Sequence, residues 1–263
     1  MSVPQMFRLD GRIAFVSGAA GHLGRAMARA LAEAGAHVIL NGRDDKRLRD
    51  FAAELKTADR SAECAAFDVG DSEAVRKYFG GLKRLDILVN NAISMTPKPR
   101  AALEPSDFSQ TFQSSVVASF ESVRAALPAL RAGVNAAGEA SVINIASMYG
   151  VVSPDSRLYT QPEQASPFHY GPAKAALIQL TRHLAAELGP ETIRVNALVP
   201  GPFPRAEVAT SDPAFAERLA ARTMLRRTGA AGEIAGPLLF LASQASSFVT
   251  GAAIAVDGGW TAW

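Results

Sequence analysis

The chain predicts a doubly wound α/β domain, a parallel sheet of about seven strands with helices on both faces. Three observations carry this. Short apolar runs recur along the sequence, helix-favouring segments separate them, and the first run ends in a glycine-rich turn. Arg12-Ile-Ala-Phe-Val16 reads as the first strand, and the Ala-rich sequence over 23–34 as a helix that stops at Gly35. His37-Val-Ile-Leu40 is the second strand, with a polar helix over 44–55. Cys64-Ala-Ala-Phe67 is the third, with a helix over 72–79. Leu85-Asp-Ile-Leu-Val89 is the fourth, followed by a long helix over about 107–130, and Ser141-Val-Ile-Asn-Ile145 is the fifth. A further helix covers about 168–188. Ile193-Arg-Val-Asn-Ala-Leu198 and Ala252-Ala-Ile-Ala-Val256 complete the strands, with a helix over about 232–242 between them. The stretches 151–167 and 202–212 break this rhythm, are rich in Pro, Ser and Asp, and follow strand ends, so both are placed to shape a pocket.

Composition excludes several functions. With 27 Lys plus Arg against 25 Asp plus Glu, the net charge of +2 argues against a nucleic-acid or membrane-surface partner held by bulk charge. The 48% hydrophobic content excludes general disorder, and 263 residues fit a single dinucleotide-binding and catalytic domain spanning 1–263. Cys64 is the only cysteine, so there is no intramolecular disulfide framework and no Cys cluster for zinc, and no metal site is expected. No apolar run reaches the roughly 18 residues of a spanning helix and the start carries no secretory pattern, so the expected location is cytoplasmic.

Ser17-Gly-Ala-Ala-Gly-His-Leu-Gly24 lies between the first strand and helix. There, small residues let the backbone approach a pyrophosphate and the helix N-terminus attracts its charge. Gly18, Gly21, His22, Leu23 and Gly24 are therefore candidate cofactor-binding residues. The second strand ends Leu40-Asn-Gly-Arg43 with no carboxylate to take a ribose 2′-hydroxyl. Arg43 either pairs with a 2′-phosphate, which favours NADP(H) over NAD(H), or begins a solvated charged helix with Asp44, Asp45 and Lys46. Phe67-Asp68-Val69 ends the third strand with a carboxylate suited to an adenine amino group, or with a plain surface aspartate. Tyr170-Gly-Pro-Ala-Lys174 sets a phenol and an ammonium four residues apart on one helix face. A cation about 4 Å away at an effective dielectric near 20 is worth roughly 4 kcal/mol, enough to draw the phenol toward neutral pH as a general acid/base. Ser147, just after the fifth strand, is placed to bond the same substrate oxygen.

These motifs, with Asn90-Asn-Ala92, Pro200-Gly201 and Val256-Asp-Gly-Gly259, resemble in order the short-chain dehydrogenase/reductase family, from about Leu9 onward. Arg43 after Leu-Asn-Gly and Pro200-Gly-Pro-Phe-Pro204 are most similar to its gluconate 5-dehydrogenase members. The resemblance implies a Rossmann-type fold and an NADP(H)-dependent oxidoreductase that interconverts a secondary alcohol and a ketone. The leading substrates are a sugar acid, a polyol or a related polar carbonyl compound. It makes Tyr170 the acid/base, Lys174 the ribose-binding partner that lowers its pKa, and Ser147 the orienting hydroxyl. Asn90 and Ala92 would line the adenosine side, and Pro200, Gly201 and Phe203 the nicotinamide loop. A homotetramer is implied, with helices near 107–130 and 168–188 at one interface and Trp260-Thr-Ala-Trp263 near another.

The chain departs from the family pattern at five places. His22 stands where the second glycine falls, its imidazole either facing the phosphates or turned away over the helix. Ile93 replaces a glycine, Arg205 replaces a threonine that contacts cofactor, and Ser115 takes the place of the fourth catalytic residue, an asparagine. The 22 residues between Ser147 and Tyr170 exceed the family's dozen and hold Arg157, Gln161 and Glu163; Arg157 is read as a substrate contact, or the segment as a surface excursion. His22, Ile93 and Ser115 also leave open a catalytically impaired nucleotide-binding sensor or assembly protein, against which the intact Ser147, Tyr170 and Lys174 argue.

Overall fold

Successive residues of a strand face opposite sides of a sheet, and a strand apolar at every position needs cover on both. The computed structural model, which describes residues 2–96, 98–160 and 165–263, satisfies that need. Its strands are β1 (Ile13–Val16), β2 (His37–Gly42), β3 (Ala62–Ala66), β4 (Ile87–Asn90), β5 (Ala140–Ile145), β6 (Ile193–Pro200) and β7 (Ala253–Val256). All seven pair in parallel in the order β3-β2-β1-β4-β5-β6-β7. The direction of winding reverses between β1 and β4, and a crevice opens beyond the strand C-termini there.

The helices are α1 (Val3–Met6), α2 (His22–Glu33), α3 (Asp45–Thr57), α4 (Ser72–Gly80), α5 (Pro105–Phe112), α6 (Ala118–Ala137), α7 (Tyr170–Leu188), α8 (Ala206–Ser211), α9 (Pro213–Arg222) and α10 (Ala235–Ala242). Met27 and Leu31 of α2, Phe51 of α3 and Leu238 of α10 cover one face, against Val16, Leu40 and Val89. Phe79 of α4, Leu130 of α6 and Leu184 of α7 cover the other, against Phe15, Leu88 and Val142. A satellite cluster of Met148, Leu158, Leu219 and Trp260, with Tyr149, Tyr159 and Phe215 against it, joins the 151–160 segment to α9 and the C-terminus.

Three expectations are corrected. The long helix does not end near 130: α6 carries Pro128 within it and stops only at Gly138, whose φ of 81° a glycine adopts without strain. Before it, α5 passes through a π turn, Gln113–Val117. The stretch 202–212, read only as a break in the rhythm, holds a helix that was not foreseen, α8. The missed helix α9 has a legible start: Asp212 accepts from the Phe215 N–H at 2.9 Å, and Pro213 fills the first position. Finally, β7 is an edge strand that alternates exposed Ala253 and Ala255 with partly buried Ile254 and Val256, so burial on both sides fails there.

Candidate active site

The crevice beyond β1, β4, β5 and β6 is a cleft of about 470 Å³, running from Arg43 and Asp68 at one end to Tyr170, Phe203 and Arg205 at the other. Gly18, Gly21, His22, Leu23 and Gly24 form its wall after β1. The N-cap of α2 is Gly21, so no side chain competes for the helix's free N–H groups. Gly18 has a φ of 64°, and a Cβ there would lie 2.9 Å from Asn91 Nδ2. That closeness is used: Asn91 Nδ2 donates to the Ser17 carbonyl at 2.9 Å, and Ser17 Oγ accepts from the N–H groups of Asn91 at 2.9 Å and Ala92 at 3.0 Å. The glycine turn is thereby fastened to the end of β4. These features fit a dinucleotide's pyrophosphate: an uncapped helix start, a turn of small residues, and a cleft continuous on both sides of it.

At the far end of β2 the fit continues. Asn41 is buried and on the cleft wall, its Nδ2 donating to Ala65 O at 2.9 Å and Phe67 O at 3.1 Å while Oδ1 has no partner among the described residues. This acceptor was not singled out from the sequence; the signal was a polar residue ending an apolar strand. Arg43 faces Asp68 across the cleft mouth at 3.7 Å, both more than half exposed, an arrangement worth little energy and easily reorganised by an incoming anion. Val69 and Ala92 line the same end.

Ser147, Tyr170 and Lys174 are brought together at the opposite end. The turn after β5 presses onto the first turn of α7, and Gly150 makes the contact possible: a Cβ there would sit 2.8 Å from the Lys174 carbonyl carbon. The Ser147 hydroxyl stands near enough to the Tyr170 phenol to favour its ionised form, and accepts from the Tyr149 N–H at 3.2 Å. Lys174 is 3% exposed, its Nζ donates to Ile145 O at 2.7 Å and stands 5.8 Å from the Tyr170 ring centre. Burial lowers the lysine to about 8. Burial also holds the phenol above its ordinary value, the Ser147 hydrogen bond opposing it. The expected lysine-driven fall of the phenol is thus corrected for the chain alone: desolvation outweighs a cation that is itself disfavoured.

Pro200, Gly201 and Phe203 follow β6 along the cleft. Two expected residues are elsewhere. Asn90 points inward, Nδ2 donating to Asn144 Oδ1 at 2.9 Å, and Asn144 in turn donates to Thr181 Oγ1 at 2.9 Å, a buried chain that ties β4 and β5 to α7. Asn91 takes the wall position instead. Ser115, in the π turn, is 2% exposed with Oγ unpaired among the described residues, and the adjacent Ser114 lines the cleft in its place. His22 Nε2 is likewise shut off from solvent without a described partner, so that nitrogen does not face the open cleft. Ile93 lines the cleft without closing it. Arg157 is turned to solvent, its side chain 86% exposed and paired with Asp155 at 2.7 Å. Gln161 and Glu163 lie outside the described residues. Trp260 is buried in the chain's own satellite cluster, while Trp263 is exposed. Among the described residues no group of three His, Cys, Asp or Glu is arranged to hold a metal, and no helix is long and apolar enough to cross a membrane.

A family model described as enoyl-(acyl carrier protein) reductase matches residues 18–261. The rhamnolipids biosynthesis 3-oxoacyl-(acyl-carrier-protein) reductase of Pseudomonas aeruginosa is 35% identical over 262 residues, 97% of this chain and 98% of that protein. Gluconate 5-dehydrogenase of Gluconobacter oxydans is 32% identical over 269 residues, 99% of each. The crystal structure of a gluconate 5-dehydrogenase from Burkholderia cenocepacia J2315 in complex with NADP and tartrate superposes with a TM-score of 0.86 at 31% identity, covering 100% of both chains.

Proposed function

The chain belongs to the short-chain dehydrogenase/reductase family, and from that footing we propose that it is an NADP(H)-dependent oxidoreductase interconverting a secondary alcohol and a ketone on a polar, sugar-acid-like or polyol substrate. The observation that carries the reading is Ser147, Tyr170 and Lys174 meeting at one end of a cleft whose other end holds Arg43. The adenosine end would lie between Arg43, Asp68 and Val69, with Arg43 taking the 2′-phosphate; Gly18, Gly21, Leu23 and Gly24 would hold the pyrophosphate, and Pro200, Gly201 and Phe203 the nicotinamide. The neighbour crystallised with NADP supports this choice of cofactor. Bound there, the nicotinamide supplies or accepts the hydride.

The chain's own part is the proton. In reduction, Tyr170 gives its phenolic proton to the substrate oxygen as charge develops on it, and in oxidation it takes that proton back. Ser147 donates a hydrogen bond to the same oxygen and fixes its direction. Lys174, wholly buried and anchored on Ile145 O, presents its ammonium to the ribose side and to the phenolate that forms in reduction. We place the protein in the cytoplasm as one catalytic unit over 1–263, assembled as a homotetramer through the α5–α6 face, where Phe108, Val117 and Phe120 are exposed.

Fluorescence titration with NADPH and NADH, followed by a panel of keto-sugar acids and simple ketones, tests the reading. Tighter binding of NADPH and turnover that falls by about 10²-fold or more in Tyr170→Phe, with NADPH affinity kept, is the expected result. Binding without turnover on any substrate would shift the reading to a nucleotide sensor.

A further inference from the structure

Besides Tyr170, five cleft-lining residues can carry charge: His22, Arg43, Asp68, Lys174 and Arg205. His22 Nε2 is turned from the open space, Arg43 and Asp68 face each other, and Lys174 is committed to Ile145 O. Arg205 alone of these is exposed with no side-chain hydrogen bond or ion pair among the described residues. It follows β6 by five residues and lines the cleft with Phe203, Ser147 and Tyr170. The end it occupies holds no carboxylate among the described lining residues, so the guanidinium is a surplus cation beside the proposed reacting centre.

Two anions compete for it: the cofactor's pyrophosphate and an acidic group on the substrate. Position separates them. The glycine turn follows β1, and β6 lies three strands away in the order β1-β4-β5-β6, about 14 Å at ordinary strand spacing. The start of α2 already offers the pyrophosphate its N–H groups. We propose that Arg205 binds the carboxylate of the substrate and selects a hydroxy or keto acid over the uncharged polyol of the same skeleton. The proposal rests on the reductase reading of the site. A planar guanidinium matches a carboxylate through two parallel N–H···O bonds, a geometry that lysine lacks. Ser94 and Ser114 also line the cleft; Ser114 Oγ is committed to the Ser94 backbone, which leaves the Ser94 hydroxyl to meet a polyhydroxy chain.

The test is a binding measurement, independent of turnover. Wild type, Arg205→Gln and Arg205→Lys are saturated with NADPH and titrated with tartrate and with threitol, its uncharged counterpart, following the bound-NADPH fluorescence. Expected are saturable tartrate binding to the wild type, a loss on the order of tenfold or more in Arg205→Gln, a smaller loss in Arg205→Lys, and threitol affinity unaltered by either variant. Equal tartrate binding in wild type and Arg205→Gln, or none in the wild type, overturns the proposal. So does a tenfold loss of NADPH affinity in Arg205→Gln with tartrate unaffected, which would give Arg205 to the cofactor. None of these outcomes touches the reductase reading, which falls if turnover survives in Tyr170→Phe or if no substrate is turned over at all.

Discussion

Lys174 shows what the site costs at the scale of one residue. Burial lowers its pKa from the ordinary 10.5 to about 8. Below pH 8 both folded and unfolded chains carry the proton, and the folded chain is penalised by about 3 kcal/mol for holding a desolvated ammonium. Between pH 8 and 10.5 the unfolded chain binds more protons, so this penalty is relieved as pH rises. Lys174→Met is therefore expected to raise stability at pH 7 by about 1 to 3 kcal/mol, less the lost Ile145 hydrogen bond, and the gain should vanish by about pH 10.5. Denaturant unfolding of both proteins across that range checks it; a gain that grows with pH contradicts the assignment. Activity should be lost in the same variant, the trade-off expected where a strained group serves the chemistry. The sequence placed Tyr170 and Lys174 on one helix face correctly, because helical spacing is local. It did not show that burial holds the phenol up in the chain alone, because desolvation depends on how much protein surrounds both groups.

Elements decide how those residues meet. The Ser147 turn reaches Tyr170 only because the backbone at Gly150 lies against that of Lys174 and Ala175, with a Cβ landing 2.8 Å and 2.9 Å from them. Backbone atoms cannot step aside as a side chain can. Gly150→Ala is expected to cost about 2 kcal/mol and to lower kcat by about tenfold or more, through displacement of Ser147, while NADPH affinity holds within about threefold. Thermal unfolding and steady-state kinetics read the two effects separately; unchanged kcat with a full stability loss would remove Ser147 from the chemistry. A second joint is the satellite cluster: Arg218 Nε donates to Leu158 O at 2.7 Å, and Tyr149 and Tyr159 share a hydroxyl hydrogen bond of 2.8 Å. The 151–160 excursion was legible as a pocket-shaping stretch, but its anchorage was not. Arg157, the residue singled out there, turns back onto Asp155, while Arg218 from the unforeseen α9 makes one of the bonds that hold the segment.

At the scale of the whole molecule, the α5–α6 face leaves Phe108, Val117 and Phe120 between 38% and 41% exposed, beyond what a closed monomer needs. Sedimentation at micromolar concentration is expected to give four times the 27.7 kDa chain mass, and Phe120→Glu a smaller species with its secondary structure intact. A monomeric wild type would refute the assembly. Trp260, which suggested a second interface, is buried against the chain's own Met148, Leu158 and Leu219, so it makes no demand for a partner.

The sequence by itself determined the sheet, its parallel winding and the end at which the cleft lies, because alternating short apolar runs and helices admit few other packings. It also marked most of the residues along that cleft, since the glycine turn and the Tyr-x-x-x-Lys spacing are local patterns. Only the tertiary structure decided which polar side chains face the cleft and which serve the core. Asn90 and Asn91 are neighbours in the chain with opposite fates, because successive residues at a strand end point to opposite sides, and Asn144, distant in sequence and itself held by Thr181, claims the first of them. Arg205 likewise becomes a surplus cation only when the partners of every other charge along the cleft are known.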